Sequence, residues 1–227
     1  MRAMSVCSYP LSPHQRKHGP QGYKSYRSYK PWLRDEFTFK CVYCLVRESC
    51  YGNDDVFGAD HLIPQSTDSS QENNYDNLVY ACNFCNSNKR FLSLIDPCQE
   101  ALGSHLKVRE DGRIEPITLM GRKILSLLQL NDEYYVKFRK RIIKTRKLLD
   151  KNPEKFKEPG EAGDLLREYL DLLRYPKNLP DLSAVNPPGG NSRKDGVETC
   201  FFLEREKKCW MSTINKSFQH PFLKTPL

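Results

Sequence analysis

Three features of the sequence predict an α+β protein. Two Cys-x-x-Cys pairs, Cys41 with Cys44 and Cys82 with Cys85, enclose two short segments of strand-like composition. A helical segment begins at the second pair, and residues 101–157 combine a predicted hairpin with long stretches of helical periodicity. The expected architecture is a small strand-strand-helix (ββα) core tied together by the cysteines, followed by a mainly helical C-terminal region.

Length and composition limit the class of protein. The chain has 227 residues, which allows one domain with appendages or two small domains. Apolar residues make up 38%, without the run of about 18 that a membrane span needs, so no membrane association is expected. Residues 1–20 lack the apolar segment of a secretory signal. We therefore expect a cytoplasmic protein whose nine cysteines stay reduced, which favours metal binding by closely spaced pairs.

The charge pattern is uneven along the chain. The formal net charge is +8, but residues 1–40 carry +6, residues 41–100 carry −6 and residues 101–157 carry +8. An acidic segment between two basic ones suits an enzyme that binds a cation in the middle and a polyanion at its flanks. Solvated surface charge is the alternative explanation for either flank.

Composition divides the chain into four segments. Residues 1–31 form a basic N-terminal arm, and residues 32–95 form the ββα core with the cysteine pairs. A hairpin and basic helices are expected over residues 96–175, and an irregular extension over residues 176–227. Within the arm, residues 23–30 alternate tyrosines with basic residues. This pattern suits base stacking and phosphate contact, and packing of the arm against its own domain is equally open.

The elements of the core follow from its apolar runs and turn residues. Residues 32–40 predict a short helix that enters a strand before the first cysteine pair. Strands are predicted over residues 56–62 and 77–81, and they bound a polar loop whose composition cannot fold alone. A helix is predicted over residues 82–94.

Beyond the core, residues 105–118 predict a hairpin with Asp111-Gly112 at its turn. Asn131 is the predicted N-cap of a long helix. The apolar residues of this helix recur at helical spacing and predict an inward stripe made of Tyr135, Phe138, Ile142 and Leu149. A second helix is predicted over residues 161–174.

The four paired cysteines predict a structural zinc site. A Cys-x-x-Cys turn points both sulfurs to one side, so two such turns can complete a tetrahedral set of thiolates. Four thiolates leave no open coordination position, so the ion is expected to stabilise the fold and not to catalyse. Two accidental pairs of buried or redox-active cysteines are the alternative. Unpaired thiols are expected at the remaining positions, Cys7, Cys50, Cys98, Cys200 and Cys209.

Polar residues suited to proton transfer and cation binding lie between and after the cysteine pairs. Asp60 and His61 stand at the end of the first predicted strand, and Pro64 requires the strand ladder to stop there. His61 could then face the following helix and act as a base beside a cation held by Asp60 and Asn86. Asn77 stands at the start of the second strand.

These residues lie in the segments DHLIP, NLVYAC and CNSNK, which are combined with the two cysteine pairs. Together the segments and the pairs resemble the HNH or ββα-metal nuclease family in its zinc-braced subtype. The resemblance covers about residues 34–95. It implies that His61 is the general base, that Asp60 and Asn86 bind the catalytic ion, and that Asn77 braces the loop. Asn86 replaces the final histidine of the family name, and its amide oxygen favours Mg²⁺ or Mn²⁺ over softer metals.

A looser resemblance extends over about residues 34–147. It is to standalone bacterial HNH proteins, some of which are the nuclease component of antiphage systems such as Septu. This resemblance implies a role in antiphage defence beside a partner ATPase or another defence-system subunit. The oligomeric state is left open.

Basic residues near the predicted site are expected to bind nucleic acid. Two follow Asn86 by one helical turn, and the others lie on the polar faces of the long helix. They are Lys89, Arg90, Arg139, Lys140, Lys144 and Lys147. For Lys89, a packing or solvent-exposed role is equally open.

The sequence thus predicts a metal-dependent endonuclease that hydrolyses phosphodiester bonds in DNA. A non-catalytic zinc module that binds nucleic acid or a partner protein is the main alternative. The joint presence of Asp60, His61, Asn77 and Asn86 favours the enzyme, because zinc binding alone does not require them. An RNase or a toxin-like nuclease is a further alternative, since phosphodiester chemistry does not distinguish the two sugars.

Overall fold

The computed structural model describes residues 7–51, 54–151 and 186–192. The predicted helix at residues 161–174 and nearly all of residues 176–227 lie outside this range. In the part of the chain that is described, no helix is long and apolar enough to cross a membrane.

The described residues combine α-helices with two small antiparallel sheets. In chain order the elements are α1 (Lys30–Glu36), β1 (Phe57–His61), β2 (Leu78–Cys82), α2 (Asn83–Lys89), β3 (Leu106–Val108), β4 (Ile114–Pro116), α3 (Leu119–Leu127) and α4 (Glu133–Lys151). One sheet pairs β1 with β2, and the other pairs β3 with β4. The order β1, β2, α2 is the predicted ββα unit, and the α+β prediction is confirmed.

The hairpin of β1 and β2 positions the residues of interest. Phe57 pairs with Cys82 at one end of the hairpin, and His61 pairs with Leu78 at the other. Every residue of β2 is buried, and α1 packs against this strand. Because β2 runs directly into α2, the second cysteine pair is held at the Phe57 end of β1, whereas His61 lies at the opposite end.

A buried charge network joins α1 to the core. The Nε and Nη2 atoms of Arg34 donate to the Glu48 carboxylate at 2.9 and 2.7 Å, and the Tyr80 hydroxyl donates to the same carboxylate at 2.5 Å. Removing one member of such a network leaves an uncompensated buried charge. The network therefore fixes α1 against β2 and against the segment that follows the first cysteine pair.

The predicted strand before Cys41 does not form. Thr38 and Phe39 adopt positive φ angles of 55° and 58°, which end α1 in a left-handed turn. The Thr38 and Phe39 amides donate to the carbonyls of Asp35 and Arg34 at the end of α1. These two N–H groups are therefore not available for the hydrogen bonds of a strand.

Helix α2 ends five residues earlier than the predicted limit at Leu94. Arg90 has a φ of +54°, and its amide donates to the Asn86 carbonyl. The Lys89 side chain is bonded to β1. The helix therefore ends at Lys89, whose side chain is bonded to β1. Sequence periodicity alone does not reveal this bond.

The hairpin of β3 and β4 has the predicted turn, with Gly112 at a φ of +85°. The predicted N-cap of α4 is wrong by one residue. The Asn131 amide instead pairs with both backbone groups of Ile114, at 2.7 and 2.9 Å. Asp132 caps the helix by accepting from the Tyr134 amide at 2.9 Å. A side-chain amide both donates and accepts, so it can pair with the N–H and the C=O of one backbone residue as a neighbouring strand would. A carboxylate only accepts, which suits the free N–H groups at a helix N-terminus.

Helix α4 contacts the core through its predicted stripe and through one residue outside it. Tyr135 and Ile142 are buried and Phe138 is half-buried, whereas the Leu149 side chain lies outside the described part. Arg139 is also fully buried. Its guanidinium donates to three backbone carbonyls, those of Gly112 at 2.7 Å, Leu130 at 2.6 Å and Cys44 at 3.3 Å. Arg139 thus ties α4 to the hairpin and to the first cysteine pair.

We expect Arg139→Met to destabilise the fold. The variant keeps the aliphatic stem but leaves three buried carbonyls without a donor, each at a cost of about 1–3 kcal/mol. The free energy of unfolding, measured by urea denaturation, should fall by about 3 kcal/mol or more. Arg122→Met, at an exposed position on α3, is the matched control and should change it by less than about 0.5 kcal/mol. Equal stability of the two variants would contradict this role of Arg139.

Candidate metal centre and catalytic site

The four paired cysteines converge at the junction of β2 and α2. Their Sγ atoms all lie within 4.8 Å of one another, and all four residues are buried. The Sγ atoms of Cys44 and Cys82 are 3.7 Å apart. A tetrahedral zinc ion with bonds of about 2.3 Å to sulfur places its ligands about 3.8 Å apart, so the cluster fits structural zinc.

The electrostatics of the cluster agree with a cation. Hydrogen bonds from Cys41, Cys44 and Cys85 lower the pKa of the Cys82 thiol far below its usual range. Burial raises the pKa of Cys44, and the neighbouring thiols raise the pKa of Cys85. The raised pKa values of Cys44 and Cys85 oppose ionisation of these two buried thiols. A divalent ion supplies the positive charge that favours their thiolate form.

Asp60 is buried near the end of β1, and both of its oxygens are hydrogen-bonded. Oδ2 accepts from the Tyr43 hydroxyl at 2.7 Å, and Oδ1 accepts from the Lys89 ammonium at 2.9 Å. Burial raises the pKa of Asp60, and the charge of Lys89 opposes that shift. Each carboxylate oxygen has a second lone pair. Asp60 can therefore offer a cation one further contact per oxygen.

His61 is the last residue of β1, and its imidazole is held from two sides. Nε2 lies 2.9 Å from the backbone oxygen of Glu72, and the Tyr26 ring packs against the imidazole with centroids 4.6 Å apart. A carbonyl oxygen only accepts, so Nε2 carries the proton and Nδ1 presents its lone pair. Among the described residues, Nδ1 has no hydrogen-bond partner.

Asn77 fixes the loop that joins β1 to β2. It is buried; its Oδ1 accepts from the Ile63 amide at 2.8 Å, and its Nδ2 donates to the carbonyls of Ile63 and Gln71 at 3.0 and 3.2 Å. The loop bonded in this way contains Glu72, whose carbonyl orients His61. Asn77 thereby contributes to the orientation of the imidazole through the loop backbone.

Asn86 lies on α2, the helix that also carries Lys89. It is half-buried, and its side-chain amide has no hydrogen-bond partner among the described residues. Lys89 reaches back to the Asp60 carboxylate and the His61 carbonyl. The ion pair thus joins the helix that carries Asn86 to the strand that carries Asp60 and His61.

The structure corrects two of the predicted nucleic-acid contacts. Lys89 and Arg139 are 1% and 0% exposed and bond inside the fold, so neither presents its charge to a ligand. Arg90, Lys140 and Lys144 are exposed. Lys147 is exposed as well and forms a 2.7 Å ion pair with Glu110.

Three residues that contact the site were not singled out from the sequence. Tyr43 lies inside the first Cys-x-x-Cys pair and bonds Asp60, and Glu72 lies in the polar loop and bonds His61 through its backbone. Tyr26 belongs to the aromatic and basic stretch of the arm, so only this residue had a signal in the sequence. Backbone acceptors such as that of Glu72 have none.

Residues 41–91 match the protein-family model described as HNH endonuclease. Comparisons of the chain with curated proteins and with solved structures gave no match. The matched range contains the four clustered cysteines together with Asp60, His61, Asn77 and Asn86.

Proposed function

We propose that the protein is a metal-dependent endonuclease that hydrolyses phosphodiester bonds in DNA, because residues 41–91 match the HNH endonuclease family model. The observation that carries the proposal is the His61 imidazole at the end of β1. Its Nε2 is bonded to a backbone carbonyl, and its Nδ1 lone pair is open. An open lone pair on one ring nitrogen, with the other nitrogen held by an acceptor, is the arrangement that a general base requires.

Asp60 and Asn86 are the proposed ligands of a catalytic Mg²⁺ or Mn²⁺. Both offer oxygen donors, which these ions prefer. The unpartnered Asn86 amide and the second lone pairs of the Asp60 carboxylate support this assignment. When bound, the ion would supply positive charge at a phosphate oxygen and at the leaving oxygen.

His61 has one step in the proposed reaction. Its Nδ1 takes a proton from a water molecule as the water oxygen bonds to phosphorus. The bond between phosphorus and the leaving sugar oxygen breaks, and that oxygen gains a proton from solvent. The bond from Nε2 to Glu72 stabilises the imidazolium formed in this step and keeps the ring in place.

The test is a cleavage assay with plasmid DNA, linear duplex, single-stranded DNA and RNA, each with Mg²⁺, Mn²⁺ or EDTA. We expect cleavage of DNA with Mg²⁺ or Mn²⁺ and no cleavage in EDTA. Cleavage of RNA alone would favour the RNase alternative. Binding of nucleic acid without cleavage under any of these conditions would favour the non-catalytic zinc module.

Lys140 and Lys144 are the residues of α4 that we propose to contact phosphate. Both are exposed on the face of the helix opposite Tyr135 and Arg139, which bury their side chains. Contacts of this kind add affinity without sequence preference.

We expect the double variant Lys140→Gln, Lys144→Gln to bind all duplex sequences more weakly than wild type. The slope of log K against log salt should become shallower by about 0.9 for each phosphate that the variant no longer neutralises. Fluorescence anisotropy at several salt concentrations measures this, with Lys123→Gln on α3 as the exposed control. An unchanged slope in the double variant would mean that α4 does not face the nucleic acid.

A role in antiphage defence, beside a partner ATPase or another defence-system subunit, is a proposal drawn from the resemblance to antiphage nucleases. This role is tested by phage plaque counts on cells that express the wild-type gene together with its neighbouring genes. Cells that express the His61→Ala variant in the same context are the comparison. Fewer plaques with wild type are expected, and equal counts would contradict the role.

A further inference from the structure

The short 3-10 turn of the N-terminal arm, Tyr26–Tyr29, lies against the end of β1. The Ser25 side chain caps this turn by accepting from the Arg27 amide. Tyr29 is buried, and its hydroxyl donates to the Asn73 carbonyl at 3.1 Å. Asn73 directly follows Glu72, whose carbonyl accepts from His61. The turn is thus anchored to the loop that orients the imidazole.

One residue of this turn contacts the candidate site, and the next residue along the chain lies beside it. The half-buried Tyr26 ring meets the His61 imidazole edge-to-face, with an interplanar angle of 67°. Arg27 is exposed, and its guanidinium carbon lies 5.8 Å from the centre of the Tyr26 ring. Within the described residues Arg27 forms no ion pair, so its charge is exposed to solvent next to the Tyr26 ring that packs on His61.

We infer that this turn is a substrate-binding wall of the nuclease site, an inference that rests on the proposed function. Tyr26 is a positioning residue that limits rotation of the His61 ring together with the bond from Nε2. Arg27 binds a phosphate of the nucleic acid adjacent to the one that is cleaved. Packing on the tyrosine ring orients the guanidinium towards that phosphate.

The two residues act on different steps, which gives the inference distinct kinetic signatures. A phosphate contact made equally in the ground state and in the transition state changes KM and leaves kcat in place. Correct placement of a base changes kcat, because small displacements of a reacting group cost large factors in rate. A role of the turn in stability alone would move neither parameter at temperatures well below the melting point.

The experiment compares Arg27→Gln, Tyr26→Leu and Tyr26→Phe with wild type in steady-state cleavage of one duplex. Arg27→Gln should raise KM about tenfold, the effect expected when a charge-assisted hydrogen bond is removed. It should also make the salt slope of binding shallower by about 0.9. Tyr26→Leu should lower kcat about tenfold or more. Tyr26→Phe should retain the wild-type kcat, because the ring contact and not the hydroxyl carries the effect.

Arg122→Gln, an exposed arginine on α3, is the control for a general reduction of positive charge. Zinc content and melting temperature identify any variant that is misfolded, and Tyr26→Phe provides the comparison if Tyr26→Leu is unstable. The inference is overturned if the wild-type protein cleaves DNA but Arg27→Gln has the same KM and salt slope as Arg122→Gln, or if Tyr26→Leu has the wild-type kcat. Either result leaves the proposed function standing. A wild-type protein that neither cleaves nor binds nucleic acid overturns both.

Discussion

His61→Ala is expected to reduce DNA cleavage by about 10²–10⁴-fold, the usual contribution of a general base. The variant removes the only described imidazole at the end of β1, and with it the Nδ1 lone pair that would take the proton from water. Single-turnover cleavage at saturating enzyme measures the effect on chemistry free of binding. Added imidazole should restore part of the rate, because the cavity left by the side chain is next to the reacting water.

The fold should tolerate this substitution. His61 is half-buried, and its side chain contacts the loop through the Glu72 carbonyl at 2.9 Å and through a longer 3.4 Å contact with Gln65, whereas Asn77 holds the same loop by three hydrogen bonds. Zinc content and the melting temperature should therefore stay close to wild type. His14→Ala removes a histidine of the arm and should retain activity, although its melting temperature should fall because His14 hydrogen-bonds the buried Glu36 carboxylate at 2.6 Å. Wild-type cleavage rates in purified His61→Ala would remove His61 from the catalytic role.

The parts of the fold that sequence predicts well are those coded by local spacing. The two strands follow from short apolar runs, and the hairpin follows from the Asp111-Gly112 turn, since each pattern is complete within a few residues. The zinc cluster also depends on two local turns. Their convergence also needs the first turn to lie against β2, where the Val42 amide donates to the Tyr80 carbonyl at 3.0 Å, and local spacing does not encode this contact.

The sequence predicts the wrong environment for long basic side chains whose hydrogen-bond partners lie far away along the chain. A helical pattern puts Lys89 and Arg139 on polar faces, where charge is expected to meet solvent or phosphate. Lys89 instead pairs with Asp60, and Arg139 bonds three carbonyls that come from separate segments. No periodicity within one helix encodes such acceptors. The length of α2 is mispredicted at the same place, because the Lys89 anchor precedes the turn at Arg90.

The catalytic assignment shows the same division. The motif puts Asp60 and His61 side by side, and the structure adds how each is held. Asp60 is held by Tyr43 and Lys89, and His61 by the loop carbonyl and the arm. The arm pattern of tyrosines and basic residues left stacking on nucleic acid and packing on the domain open. The structure packs Tyr26 on the domain, and the exposed Arg27 keeps the first interpretation available to the proposal.

Cys41→Ser and Cys85→Ser are expected to abolish zinc binding and to unfold the ββα core. Structural zinc contributes about 10–16 kcal/mol in small zinc-binding peptides, which is comparable to the total stability of about 5–15 kcal/mol of a typical domain. Here the ion would join the cysteine turn that precedes β1 to the start of α2. Arg139 of α4 donates to the backbone carbonyl of Cys44, one of the four clustered cysteines. Removal of zinc should therefore loosen both the core and the attachment of α4.

Zinc stoichiometry and thermal unfolding measure this result. Each variant should contain no zinc and show no cooperative transition. A strong chelator should lower the melting temperature of the wild-type protein. Cys98→Ser is the matched control, because Cys98 is a half-buried free cysteine outside the cluster. It should keep the zinc and the transition of wild type. Zinc-free protein that melts like wild type would show that packing of β1, β2 and α2 holds the core without the ion, and the cysteines would then be buried thiols and not ligands.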